Sequence, residues 1–228
     1  MADTRTCEHC GSVFAPRREH ARFCSARCRV AWNREQARDR AAEETALDWS
    51  FIAMRDATGR LQRARDVDYR RALAAISEAV WWVTIVDGTL VRYHPGTYDG
   101  VLATQSDAER RLTEGTLAGL RFARNRMGHH LDPADFISQP AGPTRPASRI
   151  SAWTWTSLPE PELGSTLDGR AKAWELSRYQ AYEAQLAGHT VGEIFTRAAA
   201  FLTLTVAQAS CDQDAGTSDL VHLRQHGV

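Results

Sequence analysis

Lysine is almost missing from this 228-residue chain: Lys172 is the only one, and the remaining 27 of its 28 basic residues are arginine (28 − 1). Arginine is therefore the default cation here, and an arginine alone carries no functional message. Asparagine is nearly as scarce, at Asn33 and Asn125 only. Apolar runs are short. The longest, around Ala79-Val80-Trp81-Trp82-Val83, falls well below bilayer length and predicts no membrane span or membrane partner. Met1 leads directly into polar residues and a cysteine pair, so no export signal is read. No internal repeat, glycine-rich phosphate loop or nucleophile elbow appears, which argues against repeat arrays, P-loop enzymes and serine hydrolases. The expected location is the cytoplasm. Net charge is zero but unevenly placed, with nine arginines against five acids in residues 1–40.

Cysteine is sparse but concentrated. Four of the five cysteines fall within residues 7–28, as Cys7-Glu8-His9-Cys10-Gly11 and Phe23-Cys24-Ser25-Ala26-Arg27-Cys28. Two residues between the first pair allow a tight turn to aim both thiolates at one ion. Gly11 can supply the positive φ such turns need. The second pair, four apart on a helix, puts its sulfurs on one face. Without an export signal, this spacing favours a metal over disulfides. His9 or His20 could replace a cysteine, although the four cysteines already complete a tetrahedral set. The pattern, with Phe14 and Phe23, resembles the treble-clef zinc fingers. The resemblance covers about the first 35 residues and implies one structural zinc ion held by Cys7, Cys10, Cys24 and Cys28. Arg17, Arg18, Arg22, Arg27, Arg29 and Arg34 surround it. They read either as a surface for DNA or RNA or as an ordinary solvated face.

Beyond a charged connector to residue 40, helical periods dominate. A first core helix is expected near 43–57, with Leu47, Phe51, Ile52 and Met54 inward and Thr58-Gly59 as its stop. A second is expected from Asp66 to Val86, closed by Asp87-Gly88, with turns at His94-Pro95-Gly96 and Asp99-Gly100. Ser106 should cap a third, along whose face lie Leu112, Thr116, Leu120, Ala123 and Met127. A fourth is expected over Asp168–Ala187, stopped by Gly188. The capping-box spacing Thr190-x-x-Glu193 opens a fifth, to about Ala209. Residues 131–166 hold six of the eight prolines and read as a long, functional or mobile connection, with Trp153-Thr154-Trp155 as a short extended piece. Trp81, Trp82 and Trp174 read as core positions, and His94 as a turn residue. The expected fold is all-α: a helical bundle of about five helices at 41–210, a small zinc finger at 1–40 and a frayed tail at 211–228.

One stretch suggests chemistry. Arg124-Asn125-Arg126-Met127-Gly128-His129-His130 closes the third helix. A guanidinium beside an imidazole can clamp a phosphate and move a proton. Basic residues at a helix C-terminus also complement its dipole, which alone would place them there. The stretch resembles the signature of the HEPN family, an arginine and a polar residue followed by a histidine four to six residues on. Arg124 and Asn125 match, and both His129 and His130 satisfy the spacing. The resemblance implies a helical bundle and a metal-independent endoribonuclease. Arginine would meet the phosphate, and histidine would deprotonate the ribose 2′-hydroxyl to leave a 2′,3′-cyclic phosphate. It further implies RNA as substrate and a homodimer whose two motifs share a cleft. The finger and the 131–166 insertion depart from the family pattern. The alternatives are a non-enzymatic regulator, whose finger binds nucleic acid and whose bundle dimerises, and a purely structural interaction module.

Overall fold

In a computed structural model, the backbone is described for residues 4–16, 18, 20–64, 68–129, 132–139, 149–163 and 168–225, and the side chains likewise outside 36–44 and 213–225. Two compact units emerge, residues 1–48 and 49–228. In the first, strands β1 (Arg5–Thr6) and β2 (Val13–Phe14) pair antiparallel, Arg5 opposite Phe14. Helix α1 (Ala26–Arg63) begins just after and continues through both units. Its length corrects the expected stop at Thr58-Gly59. The Thr58 hydroxyl donates to the Met54 carbonyl instead, a bond made within a continuing helix.

The second unit is an α-helical bundle. It comprises the end of α1, α2 (Tyr69–Tyr93), α3 (Pro95–Ala103), α4 (Asp107–His129), the single turn α5 (Pro133–Phe136), α6 (Gly169–Gln185) and α7 (Val191–Gln225). The all-α expectation holds, with α3 and α5 added where turns or a connection were expected. Pro95 starts α3 because its fixed φ suits a first helical turn, where its missing N–H costs nothing. Helix α2 runs past Asp87-Gly88 because Asp87 is drawn into the core and no longer ends anything. The predicted start of α4 is confirmed by a reciprocal box. The Ser106 hydroxyl accepts from the Glu109 N–H, and the Glu109 carboxylate accepts from the Ser106 N–H. Thr190 and Glu193 repeat the device at α7. Asp168 caps α6, and Gly188, at φ +81°, ends the turn that follows it. Helix α7 extends to Gln225 rather than stopping near Ala209.

The core is apolar and aromatic. Ile76, Val80 and Val83 of α2 bury as their four-three spacing predicts, and so do Leu120 and Ala123 of α4; Ile52 does not and stands exposed. Helices α2 and α7 are also long and apolar enough by composition to cross a membrane, although no unbroken apolar run in the sequence predicts a span. Both supply the bundle's interior face. Two glycines let α4 approach α6 closely. A Cβ on Gly119 would stand 3.0 Å from the Tyr182 Cα and 2.6 Å from a Leu186 methyl. A Cβ on Gly115 would meet Gln185.

The described parts of the 131–166 connection are structural. Strand β3 (Ile137–Ser138) pairs with β4 (Thr154–Trp155), and Trp155 exchanges backbone bonds with His189 and Gly188. Trp153 and Trp155 are fully buried. Tyr182 sits among Phe122, Phe136 and Trp155, and its hydroxyl donates to the Thr156 carbonyl. Residues 140–148 and 164–167 lie outside the described set.

Candidate functional site

The four cysteines converge. Their sulfurs all lie within 4.8 Å of one another, with Cys10 to Cys24 at 3.7 Å and Cys24 to Cys28 at 3.5 Å. A tetrahedral ion with sulfur at about 2.3 Å places its ligands about 3.8 Å apart, so the cluster fits such an ion. Local sequence builds it. The Gly11 N–H donates to the Cys7 carbonyl, and Gly11 takes φ +71°, folding the first pair inward. The Ser25 hydroxyl accepts from the Cys28 N–H at the start of α1 and orients the second pair. Backbone N–H groups of Cys10 and Cys24 lower the Cys7 thiol to about 6, the direction that favours a thiolate ligand. Cys24 is pushed up to about 12 by crowding against the Cys28, Cys10 and Cys7 sulfurs. Four sulfurs at this spacing could hold a metal ion. His9 is not among the converging groups. Its Nε2 lies 3.3 Å from Glu35. Arg18, His20, Arg22 and Arg29, with Phe14 and Phe23, line a concavity of about 1070 Å³ beside the cluster. Arg22 there is paired with Glu8 through two bonds.

The arginine–histidine stretch forms the last turns of α4, which packs against both α2 and α6. The Arg124 guanidinium lies 4.4 Å from the centre of the Trp81 ring on α2. Its Nε is buried without a hydrogen-bond partner, and no carboxylate pairs with it among the described residues. Arg126 turns the other way, to Glu175 of α6 at 3.4 Å and over Phe122. Asn125 is half-buried and His129 exposed; His130 lies outside the described residues. Because α4 stays helical through His129, the five-residue step from Arg124 to His129 turns about 500°, leaving the two about 140° apart around the axis. Arg121, Asn125 and His129, each four apart, follow one face instead.

That face reveals residues that sequence reasoning missed. Asp87 of α2 is wholly buried. It accepts from the Tyr98 hydroxyl at 2.9 Å and from Arg121 Nε in a shorter contact. Burial and the Asp87 charge push Tyr98 far up, so it stays a neutral donor. Arg178 of α6 stacks 3.3 Å from the centre of the Trp174 ring. Trp81 and Trp174, expected in the core, are 47% and 56% exposed. The missed signal was spacing: Arg121 precedes Asn125 by one helical turn, and Arg178 follows Trp174 by one. Asp87 gave no signal, because Asp-Gly is a common helix end.

No family model, no curated protein and no solved structure matches the chain.

Proposed function

We propose that the protein is a HEPN-type endoribonuclease that cleaves RNA without a catalytic metal, with a composite site completed by a second copy. The observation that carries this reading is Arg124. It is a half-buried guanidinium held by an aromatic face rather than a carboxylate, with Asn125 and His129 in the turn that follows. Its charge is left for an external anion. In the reaction, His129 or His130 takes the proton from the ribose 2′-hydroxyl, and the 2′-oxygen attacks phosphorus. The 5′-oxygen leaves with a proton, giving a 2′,3′-cyclic phosphate and a 5′-hydroxyl. Arg124 meets the charge that builds on the phosphorane. The divergence of Arg124 and His129 on one helix favours the binding-regulator alternative for a single copy, so the enzyme reading requires that the arginine of one copy serve the histidine of the other. The ion at the four cysteines is proposed to be zinc, structural because a closed four-thiolate shell leaves no place for substrate. Reduced thiols and a metal site suit the cytoplasm.

Subunit mixing tests the composite site. Arg124→Ala and a His129→Ala/His130→Ala variant should each fail to cut single-stranded RNA in magnesium-free buffer. An equal mixture should recover roughly a quarter of the wild-type rate, because half of the dimers are mixed and each holds one intact site. Activity only with magnesium, cleavage of DNA, or full activity in each variant alone would overturn the reading. The arginines around the cysteine cluster favour a second reading, a finger that binds DNA or RNA beside a dimerising bundle. It takes over if purified protein binds but never cuts, and if Arg18→Ala/Arg29→Ala abolishes that binding.

A further inference from the structure

The hollow beside the four cysteines brings cations together with aromatic rings. Arg18, His20, Arg22 and Arg29 line the same space of about 1070 Å³ as Phe14 and Phe23. No carboxylate lines it among the described residues, and of the four cysteines only Cys24 forms part of its wall. Glu8 answers Arg22 through two bonds. Arg18 and Arg29 are exposed, and neither side chain has an acidic partner among the described residues. Two guanidiniums in one hollow are thus left over. The excess survives a wider count. Residues 1–40 hold nine arginines against five acids, and four thiolates around a divalent ion would add −2, leaving +2 (9 − 5 − 2).

Shape narrows what could answer that charge. Duplex DNA is read by a convex element, a helix or a β-ribbon, that enters its groove. A hollow cannot enter a groove. The splayed bases of a single strand can enter a hollow, stack on aromatic rings there and lay their phosphates against guanidiniums. Phe14 and Phe23 are both half-buried, so each keeps part of its ring open to such a base. The volume is at the upper end of pockets that hold a small ligand, which leaves room for more than one nucleotide.

We infer that the hollow beside the cysteine cluster binds single-stranded nucleic acid, with Arg18 and Arg29 on the phosphates and Phe14 and Phe23 against the bases. Each planar fork can hold two phosphate oxygens. The inference rests on the reading of the finger as a nucleic-acid binder and gives it a strand class and a set of contacts. It does not require that the bundle cut RNA.

The test is binding of the full-length, zinc-loaded protein to a fluorescein-labelled 2′-O-methyl RNA dodecamer. This strand keeps its phosphates but has no 2′-hydroxyl nucleophile, so cleavage does not enter. Arg18→Gln and Arg29→Gln should each weaken binding on the order of tenfold at low salt and reduce the slope of log K against log salt by about 0.7, the value for one phosphate contact on a single strand. Arg27→Gln and Arg34→Gln remove the same charge from α1 outside the hollow and should change little. Phe14→Leu and Phe23→Leu keep apolar bulk and should weaken binding without changing the slope. Zinc content equal to wild type shows that each variant finger is folded. Equal losses in the Arg27 and Arg34 variants would overturn the inference, because attraction would then be diffuse. So would a duplex of the same length binding as tightly, poly-glutamate competing as well as the strand, or full affinity in both phenylalanine variants. Arg124→Ala should keep this binding. Binding lost there and kept in Arg18→Gln/Arg29→Gln would place the strand on the bundle and overturn the inference, while lack of cutting alone would count only against the ribonuclease reading.

Discussion

Among the described residues, the apolar side chains buried in residues 1–48 are Cys7 and Leu47, whereas all the others lie in residues 49–228. The first unit has almost nothing to remove from water. Its order comes from a short hairpin, one positive-φ glycine and sulfurs brought to tetrahedral spacing. The second has an aromatic interior centred on Tyr182 and a buried ionic knot at Asp87. The contrast teaches where each unit's stability can lie: in a metal ion that the four sulfurs could hold for one, in excluded water and interlocked helices for the other.

Removing the ion should break the comparison most visibly. For a small thiolate site the apparent folding contribution is about 10 kcal/mol or more. Chelation, or Cys24→Ser, should abolish amide-exchange protection in residues 5–28 while leaving the helices beyond residue 49 protected. Loss of the bundle at the same time would show that the two regions are not independent. Metal affinity should fall with decreasing pH, because protons compete for the thiolates.

Within the bundle, Asp87→Ala should cost about 3–5 kcal/mol, since it leaves Arg121 in a mostly buried place without its carboxylate. Denaturant unfolding measures this. A cost below ~1 kcal/mol would mean that the knot contributes little to the bundle.

A pair of glycine changes separates packing from propensity. Gly119→Ala should destabilise by about 1–3 kcal/mol, although alanine is the better helix former, because the added methyl meets the Tyr182 backbone. Gly88→Ala, whose Cβ would meet nothing within 4 Å, should stabilise by about 0.5–1 kcal/mol. If both stabilise, α4 and α6 are looser than they look.

The smallest expected effect is at the α7 cap. Thr190→Ala should cost about 1 kcal/mol. Bonds from Thr190 lower the Glu193 carboxyl. Its contribution is therefore present above the unfolded value of about 4.3 and is lost as pH falls through the folded one. The gap between wild type and Thr190→Ala should therefore narrow in acid without closing, because the bond from the Glu193 N–H to the Thr190 hydroxyl does not titrate.

Local chemistry was legible in the order of residues alone. The Ser106 cap, the Thr190 capping box, the Gly188 stop and the four-cysteine spacing all rest on residues a few positions apart, and each appears where the sequence places it. Stops that depended on context were not legible. Gly59 and Asp87-Gly88 carry stop chemistry, yet both helices pass through them, because burial of Asp87 and continued packing outweigh a weak local preference. Within the proline-containing 131–166 connection, the expected extended piece at Trp153-Thr154-Trp155 appears as β4 with both rings buried, while its pairing with β3 was not legible.

The sequence by itself determined the helical period of the second unit, the caps that open α4, α6 and α7, and the cysteine cluster of the first. These are set by neighbours along the chain, whose geometry is fixed by covalent spacing. Only the tertiary structure decided the company of the arginines. Arg124 rests on Trp81 and Arg178 on Trp174, while Arg121 closes on Asp87, 34 residues earlier. Charge partners across helices depend on which faces pack together, and that follows from burial of the whole apolar set rather than from any local pattern.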